Sequence, residues 1–439
     1  MEVQTTGPVM SLLRRAACIA FLALGAAFAA DDGAVDWHAL NHQAATQAKA
    51  GDSAGLHDTL VQLAPALPGS PTIVYKLGAS AARLGHADEA IAALTRLQDA
   101  GLAYDIAADA DFAALAGRPD FESLRTHLAD NRNAIGTPRR VMGFADADWI
   151  PESLAWDAAT RRLFVSDARH CEIRVVDGLA RAGAGARTSR AFARLPASAF
   201  ALGLDGRRHR LWVTIATVAQ AEHCGEGAPA DERTALLALD PRTGRVLQRV
   251  DARVKGVLGD LLVADDGTVF VSESLHGAVL RLRPGARAFE RLDVSGDFTS
   301  PQQPALSANG RTLLVPDYAR GIGLLDLAAP GPSPARWPAN GAGVFTAGID
   351  GLVRDGASLL AVQNGVSPAR VIRFSDDLQR QQVLESGTPG LGEPTHAIAV
   401  GHDLWFIADV GWDRFEESGK RKAGAPASHA ELRSVPLTP

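Results

Sequence analysis

The run Val269-Phe-Val-Ser-Glu273 is apolar for three residues and then closes on a serine and an acid. Near-copies stand at Leu163-Phe-Val-Ser-Asp167, Leu211-Trp-Val-Thr-Ile215, Leu313-Leu-Val-Pro-Asp317, Leu359-Leu-Ala-Val-Gln363 and Leu404-Trp-Phe-Ile-Ala-Asp409. Counted from the last residue of each, the steps are 48, 58, 44, 46 and 46. Most are preceded by a turn dipeptide such as Asp266-Gly267, Asn309-Gly310 or Asp355-Gly356, which suits a tight hairpin. Before the turn lies another apolar strand, as in Leu154-Ala-Trp156 or Ile398-Ala-Val400. A third strand follows, as in Ala278-Val-Leu-Arg-Leu282.

Each unit of roughly 45 residues is therefore a meander of three to four strands, the size of one propeller blade. One such sheet cannot bury both faces alone, whereas six in a ring bury them against each other. A β-solenoid would need shorter repeats, and a sandwich would not repeat. Residues 141–439 thus read as an all-β six-bladed β-propeller, closed by Val141 to Phe144 or by Leu432 to Leu437.

Working towards the N-terminus, 131–140 reads as a linker and 31–130 as a small all-α helical-repeat domain. Apolar residues recur there at three and four, as in Ile73, Leu77 and Ala81, or Ala90, Leu94 and Leu97. Gly51 and Gly85, each between two helical stretches, are 34 residues apart, the period of tetratricopeptide helix pairs. Such a domain offers a groove for a protein partner or serves as a cap on its neighbour. Residues 1–30 place Arg14 and Arg15 before an uncharged apolar run that ends on small residues, the pattern of a secretory signal peptide. The run is too short for a permanent membrane anchor, so the expectation is a periplasmic or secreted protein. Leader removal leaves Cys171 and Cys224, which pair as a disulfide, stay as thiols or join His170 and His223 on zinc.

A net charge of -6 gives no electrostatic footprint for nucleic acid. The chain carries no Gly-rich phosphate loop, no Gly-x-Ser-x-Gly elbow and no His-Glu-x-x-His, so nucleotide, serine-hydrolase and zinc-protease chemistry lack support. Propeller ligands, small molecules above all, bind at one mouth of the central channel, on the loops entering the innermost strands. Counting back from each signature run puts Glu152, Asp260, Gln302, Asp350 and His396 at those entries. Clustered carboxylates resist ionisation unless a cation compensates, and Ca²⁺ or oxygen-ligated Zn²⁺ is the natural candidate. Arg169, His276, Tyr318 and Arg320, on loops after the signature strands, are candidate substrate contacts. Asp167, Glu273, Asp317 and Asp409 recur at one blade position, which favours a structural role.

Pro151-Glu-Ser-Leu-Ala-Trp-Asp157 and Ile349-Asp-Gly-Leu-Val353 resemble the first-blade Glu motif and the Asp-Gly motif of the senescence-marker-protein (regucalcin)/gluconolactonase family. Gly259-Asp260 and the segment from Pro301 to Gly310 occupy the places of two Asn-bearing motifs, and the similarity spans 151–437. The resemblance implies a divalent metal held by Glu152 and Asp350, with Gln302 where a ligand Asn is expected, and lactone or ester hydrolysis. Asp350 would also be the general base, and Asp260 would orient substrate or water. The alternative is a non-catalytic binding propeller whose helical repeats dock a protein.

Overall fold

The computed structural model describes residues 36–437 except 145–147, 178, 180–185, 188, 223, 225–233, 253–255 and 427–429. The expected leader lies outside the described residues. Five α-helices come first: α1 (Trp37–Ala50), α2 (Ser53–Leu63), α3 (Pro71–Arg83), α4 (Ala87–Asp99) and α5 (Pro119–Asp130). Gly51, at φ 71°, ends α1 in the left-handed region that a side chain disfavours, and Asp52 then caps α2 by accepting from Gly55 N. Gly85, at φ 78°, stands between α3 and α4 in the same conformation. Gly78 lets those helices approach, since a Cβ there would lie 3.2 Å from that of Ala93.

The helical segment is docked on blades four and five of the propeller. Phe345 of the propeller sits in the same buried cluster as Leu94, Leu97 and Phe112. Ala103 N donates to Ser367 O at 2.8 Å and Ala347 N to Gly69 O at 3.0 Å. Arg370 is fully buried at this seam, its Nε on Gln363 Oε1 at 2.6 Å and its Nη1 on Ala100 O at 2.5 Å. Burial pulls its pKa down to about 9. Arg370→Ala takes the donor from the buried Gln363 Oε1 and leaves Ala100 O with Gln381 Nε2 alone, so a stability loss of about 1–3 kcal/mol is expected in urea unfolding. An unchanged midpoint and slope would show that this contact holds nothing together.

Six sheets follow among the described residues, antiparallel except for a short parallel pairing of Ala186–Arg187 with the outermost strand of blade six, and all but that blade draw their strands from one stretch of chain. Their innermost strands are Pro151–Asp157, Ser198–Asp205, Leu258–Val263, Ala305–Leu306, Ile349–Asp355 and Thr395–Val400. Each signature run is the second strand, and its side chains alternate between two neighbours. Leu163 and Val165 pack with Trp405 and Ile407 of blade six, while Phe164 packs with Leu211 and Val213 of blade two. Trp212 then meets Val269 and Val271, Phe270 meets Leu313 and Val315, and Leu314 meets Leu359 and Ala361. Leu360 and Val362 complete the circuit against Leu404 and Phe406. That is why these runs are apolar at every position: both faces of each blade are core.

Both candidate closing segments are used. Glu431–Pro436 is the third strand of blade six, and Arg139–Phe144 pairs antiparallel outside it, with Arg140 opposite Arg433. The first strand of the propeller thus completes the last blade.

Candidate functional site

Glu152 and Ser153, Phe200 and Ala201, Gly259, Asp350 and His396 are all skipped in the pairing between the first two strands of their blades. Five blades therefore carry a β-bulge at one place, the entry of the innermost strand. A bulge frees a residue from the ladder and re-aims its side chain, a device common beside functional sites. In blade four Gln302 and Gln303 occupy the corresponding gap, between Pro301 opposite Asp317 and Ala305 opposite Leu314. His396 is held at φ 32°.

These entries meet. Asp260, Gln302, Asp350 and His396 are 8%, 6%, 6% and 2% exposed, and Glu152 is half-buried. The Glu152 carboxyl is pushed well above its usual range, first by burial and then by the charge of Asp350, with Asp260 and Glu393 adding to it. Trp412 opposes this by donating its Nε1 to Glu152 Oε2 at 2.7 Å. Burial also raises the Asp260 pKa, against the pull of His396, whose Nδ1 lies 3.4 Å from Asp260 Oδ1. Asp350 Oδ2 accepts from Asn364 Nδ2 at 2.6 Å, and Asn364 Oδ1 accepts from Tyr318 OH at 2.8 Å. Gln302 turns its amide nitrogen to Ser300 O and Oγ at 3.1 and 3.0 Å. Gln303 bridges to blade six through both Ala397 N and Ala397 O. That bridge passes Gly351, where a Cβ would stand 3.1 Å from the Gln303 amide oxygen.

The other expected contacts separate. Tyr318 reaches the mouth through Asn364. Arg320 lies over the Trp337 ring at 4.0 Å and turns its Nε to Ala66 O, at the seam with the helical domain. Arg169 is buried over Phe415 and donates to Gln220 O and Glu222. His276 is exposed, and Glu273 accepts its backbone amide. The recurring acids brace turns. Asp167 accepts from Ile150, Arg169 and His170 amides, and Asp317 from Thr299, Ser300, Ala319 and Arg320 amides. At that position in blade five Gln363 reverses the polarity and donates to Phe345 O and Ala347 O.

Sequence reasoning missed Asn364, Gln303 and the Trp412 bond to Glu152. Asn364 had a signal, since it directly follows the blade-five signature run. Trp412 was legible as a loop residue near the mouth, but its pairing with Glu152, 260 positions away, was not.

Three acids, from blades one, three and five, two of them buried and one half-buried, can hold a hard cation by charge and donor type. Their oxygens are not one of the two tight triads of His, Cys, Asp and Glu ligand atoms among the described residues. One of those triads, Asp148 with His170 and Glu222, is crossed by Arg169, which pairs with both acids.

A pH dependence follows. A carboxyl whose pKa is raised on folding contributes stability below its unfolded value and loses it as pH rises through its folded value. Metal-free Glu152→Gln should therefore melt higher than wild type at neutral pH, by about 1–2 °C per kcal/mol at this chain size. The gain should fade towards pH 4–5. A lower melting point at neutral pH would mean that the Glu152 charge is already well compensated.

A disulfide joins Cys171 to Cys224, with Cα atoms 5.2 Å apart, tying the second turn of blade one to a loop of blade two. Among the described residues no helix is long and apolar enough to cross a membrane.

No family model and no curated protein matches the chain. Among solved structures it is similar to the calcium-binding protein regucalcin from Agrobacterium tumefaciens, at 15% identity and TM-score 0.49 over 68% of this chain and 93% of that one. It is similar to a gluconolactonase from Xanthomonas campestris, at 18% identity and TM-score 0.46 over 70% and 92%. It is also similar to a PQQ-bound aldose sugar dehydrogenase from Streptomyces coelicolor, at 15% identity and TM-score 0.45 over 69% and 99%. These are distant likenesses, and the propeller is established by the six sheets themselves.

Proposed function

We propose that the chain is an exported, divalent-metal-dependent hydrolase of a lactone or ester, acting on a small molecule at the propeller mouth. The observation that supports this reading is the trio Glu152, Asp260 and Asp350, carried to the ring's entry by three blades, with Asp260 and Asp350 both raising the cost of ionising Glu152. Ca²⁺ or Zn²⁺ would be held by Glu152 and Asp350, with the Gln302 amide oxygen beside them. When bound it neutralises the acids and polarises the substrate carbonyl.

The remaining roles fall to the chain's own groups. Asn364, itself held by Tyr318, fixes the Asp350 carboxylate for proton transfer from water. The water oxygen bonds to the carbonyl carbon, the ester C–O bond breaks, and the proton passes by way of Asp350 to the leaving oxygen. Asp260, braced by His396, orients the substrate or the water. Export is supported by the leader pattern and by the disulfide, which suits an oxidising compartment.

One observation favours the second reading, a binding propeller without catalysis: the oxygens of Glu152, Asp260 and Asp350 are not among the ligand groups that lie within 4.8 Å of one another among the described residues. The helical domain would then serve a protein partner as well as blade five. The test is hydrolysis of an aldonolactone by untagged protein, first stripped of metal and then resupplied with Ca²⁺ or Zn²⁺. Metal-restored turnover supports the hydrolase. Absence of turnover under every metal leaves the binding reading.

A further inference from the structure

We propose a second metal site, for Zn²⁺ or a similar first-row divalent ion, in the helical domain at His57, His86 and Glu89. His57 lies in α2, His86 caps α4, and Glu89 is in the first turn of α4. Glu89 Oε2 is 3.6 Å from His57 Nε2 and 3.6 Å from His86 Nδ1. The three ligand atoms all lie within 4.8 Å of one another.

Hydrogen-bond accounting is what points to a cation. His57 is buried, at 7% exposure, and its Nδ1 is 3.1 Å from Ser80 Oγ. Ser80 has one hydroxyl proton and gives it to Leu77 O at 2.9 Å. The Ser80 oxygen can therefore only accept from His57, so Nδ1 carries the imidazole proton. In the neutral ring this leaves Nε2 as a bare lone pair, aimed at a carboxylate oxygen at 3.6 Å. Two electron-rich atoms facing each other at that distance repel unless a positive species lies between them. A metal-bound His usually donates its other ring N–H to a fixed acceptor, which is the part Ser80 plays here.

The donor set suits zinc. Two imidazoles and one carboxylate, with bonds of about 2.0–2.1 Å, make a three-ligand site that keeps a fourth position open for water. Tetrahedral bonds of that length set ligand atoms about 3.3–3.4 Å apart, close to the two 3.6 Å separations. His86, with 53% of its side chain exposed, is free to close the remaining gap, while Ser80 holds His57 in place. The other triad, Asp148, His170 and Glu222, lacks this character because an arginine occupies its acids. Such an ion would clip α2 to the start of α4 across α3, joining the second helix of each pair. This site is independent of the propeller mouth.

The test uses untagged full-length protein dialysed against a chelator and titrated with Zn²⁺ by calorimetry. His86→Ala and Glu89→Gln alter partly exposed side chains, so both variants should keep the fold, checked by circular dichroism. Each should weaken one Zn²⁺-binding event by about 100-fold or more. That same event should survive in Glu152→Gln/Asp350→Asn, which separates it from any ion at the mouth. Ser80→Ala should weaken it by about 10-fold, because His57 loses the partner that fixes its tautomer. Identical Zn²⁺ isotherms for wild type and His86→Ala/Glu89→Gln would overturn the proposal and leave a proton as the bridge. So would the absence of any Zn²⁺ binding by the wild type.

Discussion

Cys171→Ser/Cys224→Ser is expected to lose about 4 kcal/mol of stability relative to the oxidised wild type. The bond spans a sequence separation of 53 residues, and closing a loop of that size in the unfolded chain costs roughly that much entropy. At this chain size the melting point should fall by about 4–8 °C. The cross-link also has a local task. Cys171 sits at φ 55° in a blade-one turn, and Leu195 N donates to its carbonyl at 2.7 Å on the way into blade two. Beside it Arg169 donates to Gln220 O in the same blade-two loop. Without the bond, that loop keeps a few polar contacts at the rim. Thermal melts with and without reductant, alongside intact mass, read the effect. Equal melting of the oxidised protein and the double serine variant would show that the loop is not held by this bond.

Glu152→Gln/Asp350→Asn is expected to lower kcat/KM for an aldonolactone by about 1,000-fold or more. General base catalysis alone contributes about 10²–10⁴-fold, and the same pair carries the cation. The variant removes negative charge from a buried cluster in which those charges repel, so its metal-free form should be at least as stable as wild type. A fall in activity at unchanged or higher melting temperature therefore reports chemistry and not unfolding. Asn364→Ala gives a milder comparison, since it keeps both carboxylates but releases Asp350 from its amide donor. Turnover by the double variant within a few-fold of wild type would remove both residues from the mechanism.

The legibility of the fold has a physical origin. A blade buries both faces, so Leu163-Phe-Val and its copies must be apolar at consecutive positions, and the period of those runs is the period of the ring. The mouth was legible for a related reason. Bulges fall at a fixed place in five blades, so counting back from the signature run finds Glu152, Asp350 and His396 by position alone. Loop side chains obey no such register. Arg320 follows the blade-four signature run as Arg169 follows that of blade one, yet one ends against Trp337 at the domain seam and the other over Phe415. That the helices could cap the propeller was an expectation, but which blades they meet was invisible. Part of the seam is Arg370, a charged residue buried in full, which no hydrophobic pattern announces.

Ion titration of the mouth tests the central idea most directly. Untagged His86→Ala/Glu89→Gln protein, stripped of metal, would be titrated with Ca²⁺ and with Zn²⁺ at neutral pH, beside the same protein carrying Glu152→Gln/Asp350→Asn. The predicted result is one ion per chain for the first, and affinity weakened by about 100-fold or more in the second. Matching isotherms, or no ion bound by either protein, would contradict the claim that these acids converge to hold a cation.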